Sequence, residues 1–468
     1  MKFFHLLFLS VFLSLIDAAP TSDLQARGFP VKPSDDPFYQ PPSGYEDKPL
    51  GTILRIRKQT NAYGIIIFQA KVESVYQILV RSEDSFNQPI AVMSTLFVPY
   101  NADPSKLLSY QVAQDSSCPD CAPSYAMQLW TNPLTWVTAQ IEQLLLLAAF
   151  EQGYYVVVPD HEGPKSAFIA GWSAGKAVLN TIRAALSSGS TTGVNSDADV
   201  VIWGYSGGAH ATAWTSQLHP SYAPELNILG AAMGGIPVNV THVALNNMGT
   251  IWAGFIFTAI NGLSHEYPEL GEFVKEKVYP SKYKQFTNTD NLCLIETIPL
   301  YLFQTWDDYL EEGSDVLYDP IVKNVTDAQN LLTTGNIPDI PTFIYSSEND
   351  EIIPIDDTDS LYELYCSKGV SVELRKDTFS EHIIAAVSGA GLAFNFVKDR
   401  FDGVPVNPQC QTSTSLSNIF DPTSLDGLGS LVKGILLTLI GSKLGPDNQV
   451  ITSSNSTDDV LSSYGLRR

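Results

Sequence analysis

The stretch Val200-Val201-Ile202-Trp203-Gly204-Tyr205-Ser206-Gly207-Gly208-Ala209 is a short apolar run that leads into a serine among glycines. The β-branched run predicts a buried strand, and the small residues after Ser206 predict a helix packed closely on the sheet. A serine at such a junction is typical of the G-x-S-x-G nucleophile elbow, where a strained turn lifts the hydroxyl above the sheet. The stretch therefore predicts an α/β fold with Ser206 as a nucleophile.

The same pattern occurs a second time, at Gly171-Trp172-Ser173-Ala174-Gly175. The nearest good strand pattern, Tyr154 to Val158, ends too early to present Ser173 at its tip. Residues 171–186 instead place apolar side chains at helical spacing. We therefore expect Ser173 inside a helix, and Ser206 is the nucleophile candidate.

Length and charge limit the class of protein. The chain has 468 residues and a formal net charge of −23. A chain of this length buries a large core, either as one domain or as one domain with an insertion. The negative charge argues against nucleic acid or an anionic membrane surface as the natural partner.

The N-terminus has the pattern of a secretory signal peptide. Lys2 precedes an apolar run from Phe3 to Ile16, and Asp17-Ala18-Ala19 follows, so residues 1–19 are expected to be the signal. The run is shorter than the ~20 residues that span a bilayer, which argues against a stable transmembrane anchor. Three N-x-[ST] sequons fit a secreted glycoprotein, namely Asn239, Asn324 and Asn455.

The cysteines indicate structural bridges. The chain has five of them: Cys118, Cys121, Cys293, Cys366 and Cys410. An odd count in a secreted chain allows at most two internal bridges and one spare thiol. Cys118-Pro-Asp-Cys121 resembles a C-x-x-C metal or redox motif, but no second C-x-x-C and no clustered histidines accompany it. We therefore expect no metal.

Strand and helix patterns alternate along most of the chain. Residues 64–80 and 90–99 predict an antiparallel meander, and the later alternation indicates a mixed, mostly parallel sheet. Further strands are predicted at residues 107–113, 154–158, 200–204, 226–232, 341–346 and 370–375, the last of which is expected to end the sheet.

The interval between Ser206 and the strand predicted at residue 341 far exceeds one strand–helix pair. We expect residues 20–236 and 338–468 to form the core, and residues 237–337 to form an inserted helical cap. Such an insertion is usually a lid or a specificity element. The alternative is an extra helical layer without a gating role.

A serine hydroxyl needs a histidine to take its proton and a carboxylate to hold that histidine. In the fold that carries this elbow the chain order is serine, acid, histidine. His382 follows the last predicted strand, where this fold presents its base. The other histidines after Ser206 fall on the elbow helix, just past it, or in the expected cap: His210, His219, His242 and His265.

The carboxylate is expected in the loop after the preceding strand. Asp350 is central to that loop, and the spacing leaves three competitors open: Glu348, Glu351 and Asp356.

An oxyanion hole needs two N–H donors, one of them from the residue after the nucleophile. Gly207 is expected to supply that donor. The other is expected after an early strand, where the chain has Gln114-Asp115-Ser116 in place of His-Gly-Gly-Gly. Asp115 fits as a donor and equally as a capping residue.

Several segments together carry a family resemblance: Asp115-Ser116, Asp120-Cys121-Ala122-Pro123-Ser124-Tyr125, Asp160-His161-Glu162-Gly163, Gly204 to Thr212, Asp350-Glu351-Ile352-Ile353-Pro354 and Glu381-His382. On these segments the chain resembles the secreted fungal lipases related to Candida antarctica lipase A, a group that includes the secreted lipases of pathogenic Candida yeasts. The resemblance spans most of the mature chain.

The resemblance implies an α/β-hydrolase fold with a helical cap, and hydrolysis of triacylglycerols and other esters without metal or cofactor. Carried over position by position, it implies a nucleophile, acid and base at Ser206, Asp350 and His382. It implies oxyanion donors at Asp115 and Gly207.

The resemblance also implies the bridges Cys121–Cys293 and Cys366–Cys410, which leaves Cys118 unpaired. It suggests a flap over the site at residues 425–447. The apolar run in that segment is equally typical of a core helix.

Together these features predict a secreted lipase that acts as a monomer on lipid at an oil–water interface. Two alternatives are a carboxylesterase for small soluble esters and a non-catalytic hydrolase fold used for binding. A complete triad argues against the second alternative.

Overall fold

A computed structural model describes residues 29–446, and within them the side chains of residues 136–138 are left aside. The expected signal peptide and the sequon at Asn455 lie outside the described residues. The flap expected at residues 425–447 is described up to residue 446.

The structure is built on a large mixed sheet. Its strands and those of a small separate hairpin are β1 (Ile53–Lys58), β2 (Gly64–Ile65), β3 (Phe68–Gln69), β4 (Ser74–Glu83), β5 (Pro89–Val98), β6 (Asp103–Gln111), β7 (Tyr154–Pro159), β8 (Asp199–Tyr205), β9 (Ile228–Gly234), β10 (Thr342–Ser347), β11 (Val372–Asp377) and β12 (Gln411–Ser415). Strands β2 and β3 form the hairpin.

The ten strands of the large sheet follow the order β1-β4-β5-β7-β6-β8-β9-β10-β11-β12. The pairs β1–β4, β4–β5 and β5–β7 are antiparallel, and every later pair is parallel. The antiparallel meander and the mostly parallel sheet are therefore as predicted. Parallel strands present their carboxyl ends at one edge, where ligands bind in open α/β sheets.

Helices cover both faces of the sheet. They are α1 (Pro123–Ala126), α2 (Pro133–Glu151), α3 (Gly171–Ser187), α4 (Gly189–Thr192), α5 (Gly207–Tyr222), α6 (Val240–Asn247), α7 (Ala253–Glu266), α8 (Pro268–Lys277), α9 (Tyr283–Phe286), α10 (Leu294–Leu300), α11 (Pro320–Asp327), α12 (Ile355–Ser367), α13 (His382–Ser388), α14 (Ala390–Phe401) and α15 (Leu425–Leu439). None of the described helices is long and apolar enough to cross a membrane.

The central strand β8 separates two apolar cores. Val200 and Ile202 belong to one core, together with apolar residues of α3, α5 and α12. Val201 and Trp203 belong to the other, with residues of α2, α14 and α15. The alternation follows from the two-residue period of a strand, and burial on both faces explains the continuous apolar run in the sequence.

The sheet does not end where the sequence predicted. The strand predicted at residues 370–375 is β11, and β12 pairs with it in parallel from Gln411 to Ser415. The prediction was wrong because β12 has the sequence Gln-Thr-Ser-Thr-Ser and is largely exposed, so it carries no apolar pattern. Edge strands of this kind avoid aggregation by being short and polar.

The long connection between β9 and β10 is helical. It holds α6 to α11, which build their own apolar cluster around Phe257, Phe286 and Tyr309. Several contacts tie this region to the core near the sheet's carboxyl edge, a disulfide among them. The Cys121–Cys293 bridge joins the start of α10 to the chain that follows β6, and Ser117 Oγ hydrogen-bonds Thr289 Oγ1 at 2.9 Å.

The second bridge implied by the resemblance is also present and joins Cys366, near the end of α12, to Cys410, before β12. Cys118 is a buried free thiol. Helix α15, in the segment where a flap was considered, packs against α2 and α14. Its Leu431 and Leu437 belong to the core of that face, so its packing in this structure is that of a core helix.

Candidate active site

Ser206 lies at the junction between β8 and α5. Its backbone has φ of +54° and ψ of −124°, a conformation that L-residues rarely adopt. The glycines around it are required by space: a Cβ on Gly204 would collide with the carbonyl oxygen of Gly208. The strained turn predicted from the sequence is therefore present, and it projects Ser206 beyond the sheet.

The structure brings Ser206, His382 and Asp350 together from three separate connections. Nε2 of His382 lies 2.9 Å from Oγ of Ser206, and Nδ1 of His382 lies 2.7 Å from Oδ2 of Asp350. His382 begins α13 just after β11, and Asp350 follows β10. Both side chains are buried, that of Asp350 completely. These distances suit proton transfer between serine and histidine, with the carboxylate fixing the imidazole tautomer.

The chain holds Asp350 through its second oxygen. Oδ1 accepts hydrogen bonds from the N–H groups of Ile352 and Ile353, at 2.9 and 2.8 Å. One carboxylate oxygen thus faces the histidine and the other is occupied by the backbone. The contact with the histidine ring distinguishes Asp350 from the other acidic residues considered for this role.

Glu351 has a different contact: its Oε2 accepts a hydrogen bond from the backbone N–H of His382 at 2.8 Å. The hydroxyl of Tyr205 donates to the carbonyl of His382 at 2.6 Å. Sequence reasoning assigned neither of these roles. Both residues lie in the quoted motifs, but only the fold shows that their side chains reach the backbone of His382.

Asp115 lies against Gly207. Its backbone has φ of +49°, and its side chain is buried. A Cβ on Gly207 would collide with Oδ1 of Asp115, and this Oδ1 has no hydrogen-bond partner among the described residues. Gly207 is the first residue of α5, so its N–H is among the helix amides that lack an intrahelical acceptor.

Burial dominates the electrostatics of this loop. It raises the pKa of Asp115 to about 7, although His382 acts in the opposite direction. Burial, with the neighbouring Asp115, also raises the pKa of Glu162 well above its ordinary value, while the N–H groups of Ser116 and Asp115 hydrogen-bond that carboxyl and oppose the rise. Burial lowers the pKa of His382, but the adjacent carboxylates, Asp350 foremost, raise it overall.

The structure does not bring the other candidates to this site. Ser173 lies inside α3, away from any strand–helix junction. Each of the four other histidines after Ser206 has a partner elsewhere: His210 accepts from Trp214 Nε1, His219 contacts Asp339, His242 contacts Asp357, and His265 contacts Asp290. Two of the predicted glycosylation sites lie within the described residues. Asn239 caps the start of α6, and Asn324 is exposed on α11. Their glycosylation stays a prediction.

An apolar pocket extends from Ser206 into the helical region between β9 and β10. Ser206, Gly207 and Asp115 lie in its wall, and most of the remaining lining comes from α6, α7, α8 and the segments that follow them. The lining side chains are almost all aliphatic or aromatic, among them Phe255, Ile256, Leu263, Phe273, Val274, Trp306, Leu317 and Val322. No group of three or more potential metal-ligating side chains occurs within residues 29–446.

Comparison with known proteins identifies the family of this chain. Residues 128–408 match the model of the secretory lipase family. The chain is 42% identical to Lipase 5 of Candida albicans, over 90% of this chain and 92% of that protein. The chain belongs to the secretory lipase family.

Other relatives agree with this assignment. This secretory lipase is 42% identical to Lipase A of Arthroderma benhamiae, with 90% of this chain and 91% of that protein covered. It is 39% identical to Lipase 1 of Candida albicans over 97% of this chain and 98% of that protein. The chain is therefore a lipase, a carboxylic ester hydrolase, and it belongs to a family of secreted enzymes.

Solved structures confirm the fold predicted for the secretory lipase. The crystal structure of Candida antarctica lipase A matches with a TM-score of 0.77 and 29% identity, over 86% of this chain and 95% of that one. Its closed state matches equally well, with a TM-score of 0.77 and 28% identity, over 89% and 98% of the two chains. The α/β-hydrolase fold is thereby confirmed.

Proposed function

We propose that this secretory lipase hydrolyses long-chain triacylglycerols, with Ser206 as nucleophile, His382 as base and Asp350 as the carboxylate that orients His382. The observation that carries the proposal is the apolar pocket that begins at Ser206. A second candidate, a carboxylesterase for small soluble esters, keeps the same triad but leaves this pocket without a use.

In the proposed reaction, Oγ of Ser206 attacks the ester carbonyl and passes its proton to Nε2 of His382. The carbonyl oxygen becomes negatively charged, and it reverts to a carbonyl as the alcohol leaves with the proton from His382. Water then attacks the acyl-enzyme by the same route and releases the fatty acid. Asp350 stays ionised throughout and stabilises the imidazolium.

We propose Gly207 and Asp115 as the oxyanion donors. Gly207 supplies an N–H from the start of α5. The N–H of Asp115 faces Glu162. The carboxyl of Asp115 lies over Gly207, and because its pKa is about 7, this carboxyl is neutral below that pH. A protonated carboxyl at that place donates an O–H hydrogen bond, and it adds no negative charge beside the developing oxyanion.

We propose further that residues 237–337 form a cap whose pocket binds the acyl chain. Burial of each methylene contributes about 0.8 kcal/mol, or roughly a fourfold gain in affinity. Over a long acyl chain this gain favours fatty esters strongly over acetates or butyrates, for as far as the pocket extends.

The test compares an emulsified long-chain triacylglycerol with a soluble short-chain ester, in wild type and in Ala259→Phe. Ala259 lies on α7 and lines the pocket, so a phenyl ring there fills space that the acyl chain needs. We expect the ratio of long-chain to short-chain hydrolysis to fall by roughly tenfold or more, with the short ester little affected. A wild type that hydrolyses only the soluble ester would favour the carboxylesterase.

A further inference from the structure

An exposed apolar patch borders His382. It consists of Phe379, Ile383, Ile384, Val387, Leu416 and Phe420, which come from the β11–α13 connection, α13 and the turn after β12. Phe420, Leu416 and Phe379 are 75%, 68% and 67% exposed. Large apolar side chains gathered at this exposure mark interaction surfaces.

The two segments of the patch are joined in the fold. The N–H of Thr378 donates to the carbonyl of Ser415 at 3.1 Å, which places Phe379 beside Leu416. Helix α13 packs on the turn Asn418–Phe420, so its exposed side continues towards Phe420. Because β11 and β12 are parallel to β8, the patch lies at the same edge of the sheet as Ser206.

We propose that this patch is the surface through which the enzyme adsorbs to an uncharged lipid surface, such as a triacylglycerol droplet. The inference rests on the proposed lipase function, and it adds the place where the protein meets the lipid. Adsorption there brings the edge of the sheet that holds Ser206 to the source of the substrate.

Charge decides which lipid surface fits. Residues 379–388 and 416–420 contain no Lys or Arg, and the chain carries a net charge of −23. The basic residues on the adjoining strand are engaged by acids: Arg375 contacts Glu373, and Lys376 contacts Asp359. The protein's negative charge would repel an anionic bilayer, and the patch offers no cation to the lipid phosphates. Adsorption to an uncharged oil surface needs only the burial of the apolar side chains.

The test measures flotation of the full-length protein with trioleoylglycerol droplets, using the Ser206→Ala background so that droplets stay intact. The test variant is Val387→Ser/Leu416→Ser/Phe420→Ser, which avoids the triad. The matched control is Val404→Ser, an exposed valine between α14 and β12, at the opposite edge of the sheet. We expect flotation of the test variant to fall by roughly tenfold or more and that of the control to stay within about twofold.

Hydrolysis of a soluble short-chain ester by the same variants with Ser206 intact separates this proposal from the proposed function. Activity within about twofold of wild type shows that fold and site are intact. If the triple variant does not fold, Phe420→Ser alone carries the test, with an expected loss of flotation of roughly threefold or more.

Three results would overturn the proposal. The first is unchanged flotation of a folded test variant, or an equal loss in the control. The second is stronger binding of wild type to phosphatidylglycerol vesicles than to droplets. The third is a wild-type dimer in sedimentation that the substitutions dissociate, because the patch would then serve a second copy of the chain.

Discussion

At the scale of single residues, two side chains of the site stand on backbone conformations that are energetically unfavourable for L-residues. Ser206 and Asp115 both adopt positive φ, at +54° and +49°, and both face the pocket beside Gly207. Backbone strain of this kind persists only where the surrounding structure over-determines it, and it clusters at active sites. The sequence predicted the strain at Ser206 from its flanking glycines, but the side chain of Asp115 carries no comparable signal.

Asp115 leads to a pH prediction. Because burial raises its pKa to about 7, the carboxyl is neutral below that pH and becomes charged above it. We expect kcat to fall as the pH rises through about 7, and Asp115→Asn, which stays neutral and keeps a donor, to remove this decline. Asp115→Ala removes the donor and should lower kcat by roughly 10² below about pH 7, where the wild-type carboxyl is neutral; above that pH the difference from wild type should shrink.

The measurement is a pH profile of kcat on a soluble ester for the three proteins. A wild-type profile without the decline, or the same decline in Asp115→Asn, would contradict the role of the carboxyl. Neutral His382 is needed as the base, so the acid limb is expected in all three profiles.

At the scale of elements, apolar periodicity explains what the sequence could predict. Strands such as β7 and β8 are buried on both faces, so each has a continuous apolar run from which the strand can be predicted. The edge strand β12 is polar and exposed, so its sequence has no apolar pattern that would predict a strand paired with β11. Likewise, spacing alone could not separate Asp350 from Glu351, and only the family resemblance favoured Asp350, because the fold decides which carboxylate reaches the histidine ring.

The C-terminal helix α15 gives a prediction at this scale. A Cβ on Gly434 would lie 2.7 Å from Cβ of Leu147 on α2, whereas one on Gly429 meets nothing within 4 Å. Gly434→Ala should therefore lower the free energy of unfolding by about 1–3 kcal/mol. Gly429→Ala, the matched control on the same helix, should raise it by about 1 kcal/mol.

Urea denaturation of both variants measures the difference. If α15 were a mobile flap, its close approach to α2 would not matter, and both substitutions would stabilise the protein alike.

At the scale of the whole molecule, residues far apart in the chain converge at one edge of the sheet. Ser206, Asp350 and His382 lie beyond the ends of β8, β10 and β11, and the helical connection between β9 and β10 supplies most of the pocket lining. The chain order and the family resemblance predicted this convergence. The course of the pocket could not be predicted, since it depends on how six helices pack against one another.

The central claim is that Ser206 is the nucleophile activated by His382, and covalent labelling tests it most directly. The protein is treated with an alkylphosphonate p-nitrophenyl ester, and the modified peptide is identified by mass spectrometry in wild type, Ser173→Ala, Ser206→Ala and His382→Ala. We predict an adduct on Ser206 in wild type and in Ser173→Ala, none in Ser206→Ala, and labelling slowed by roughly 10³ or more in His382→Ala. An adduct on Ser173, or labelling unaffected by His382→Ala, would contradict the account.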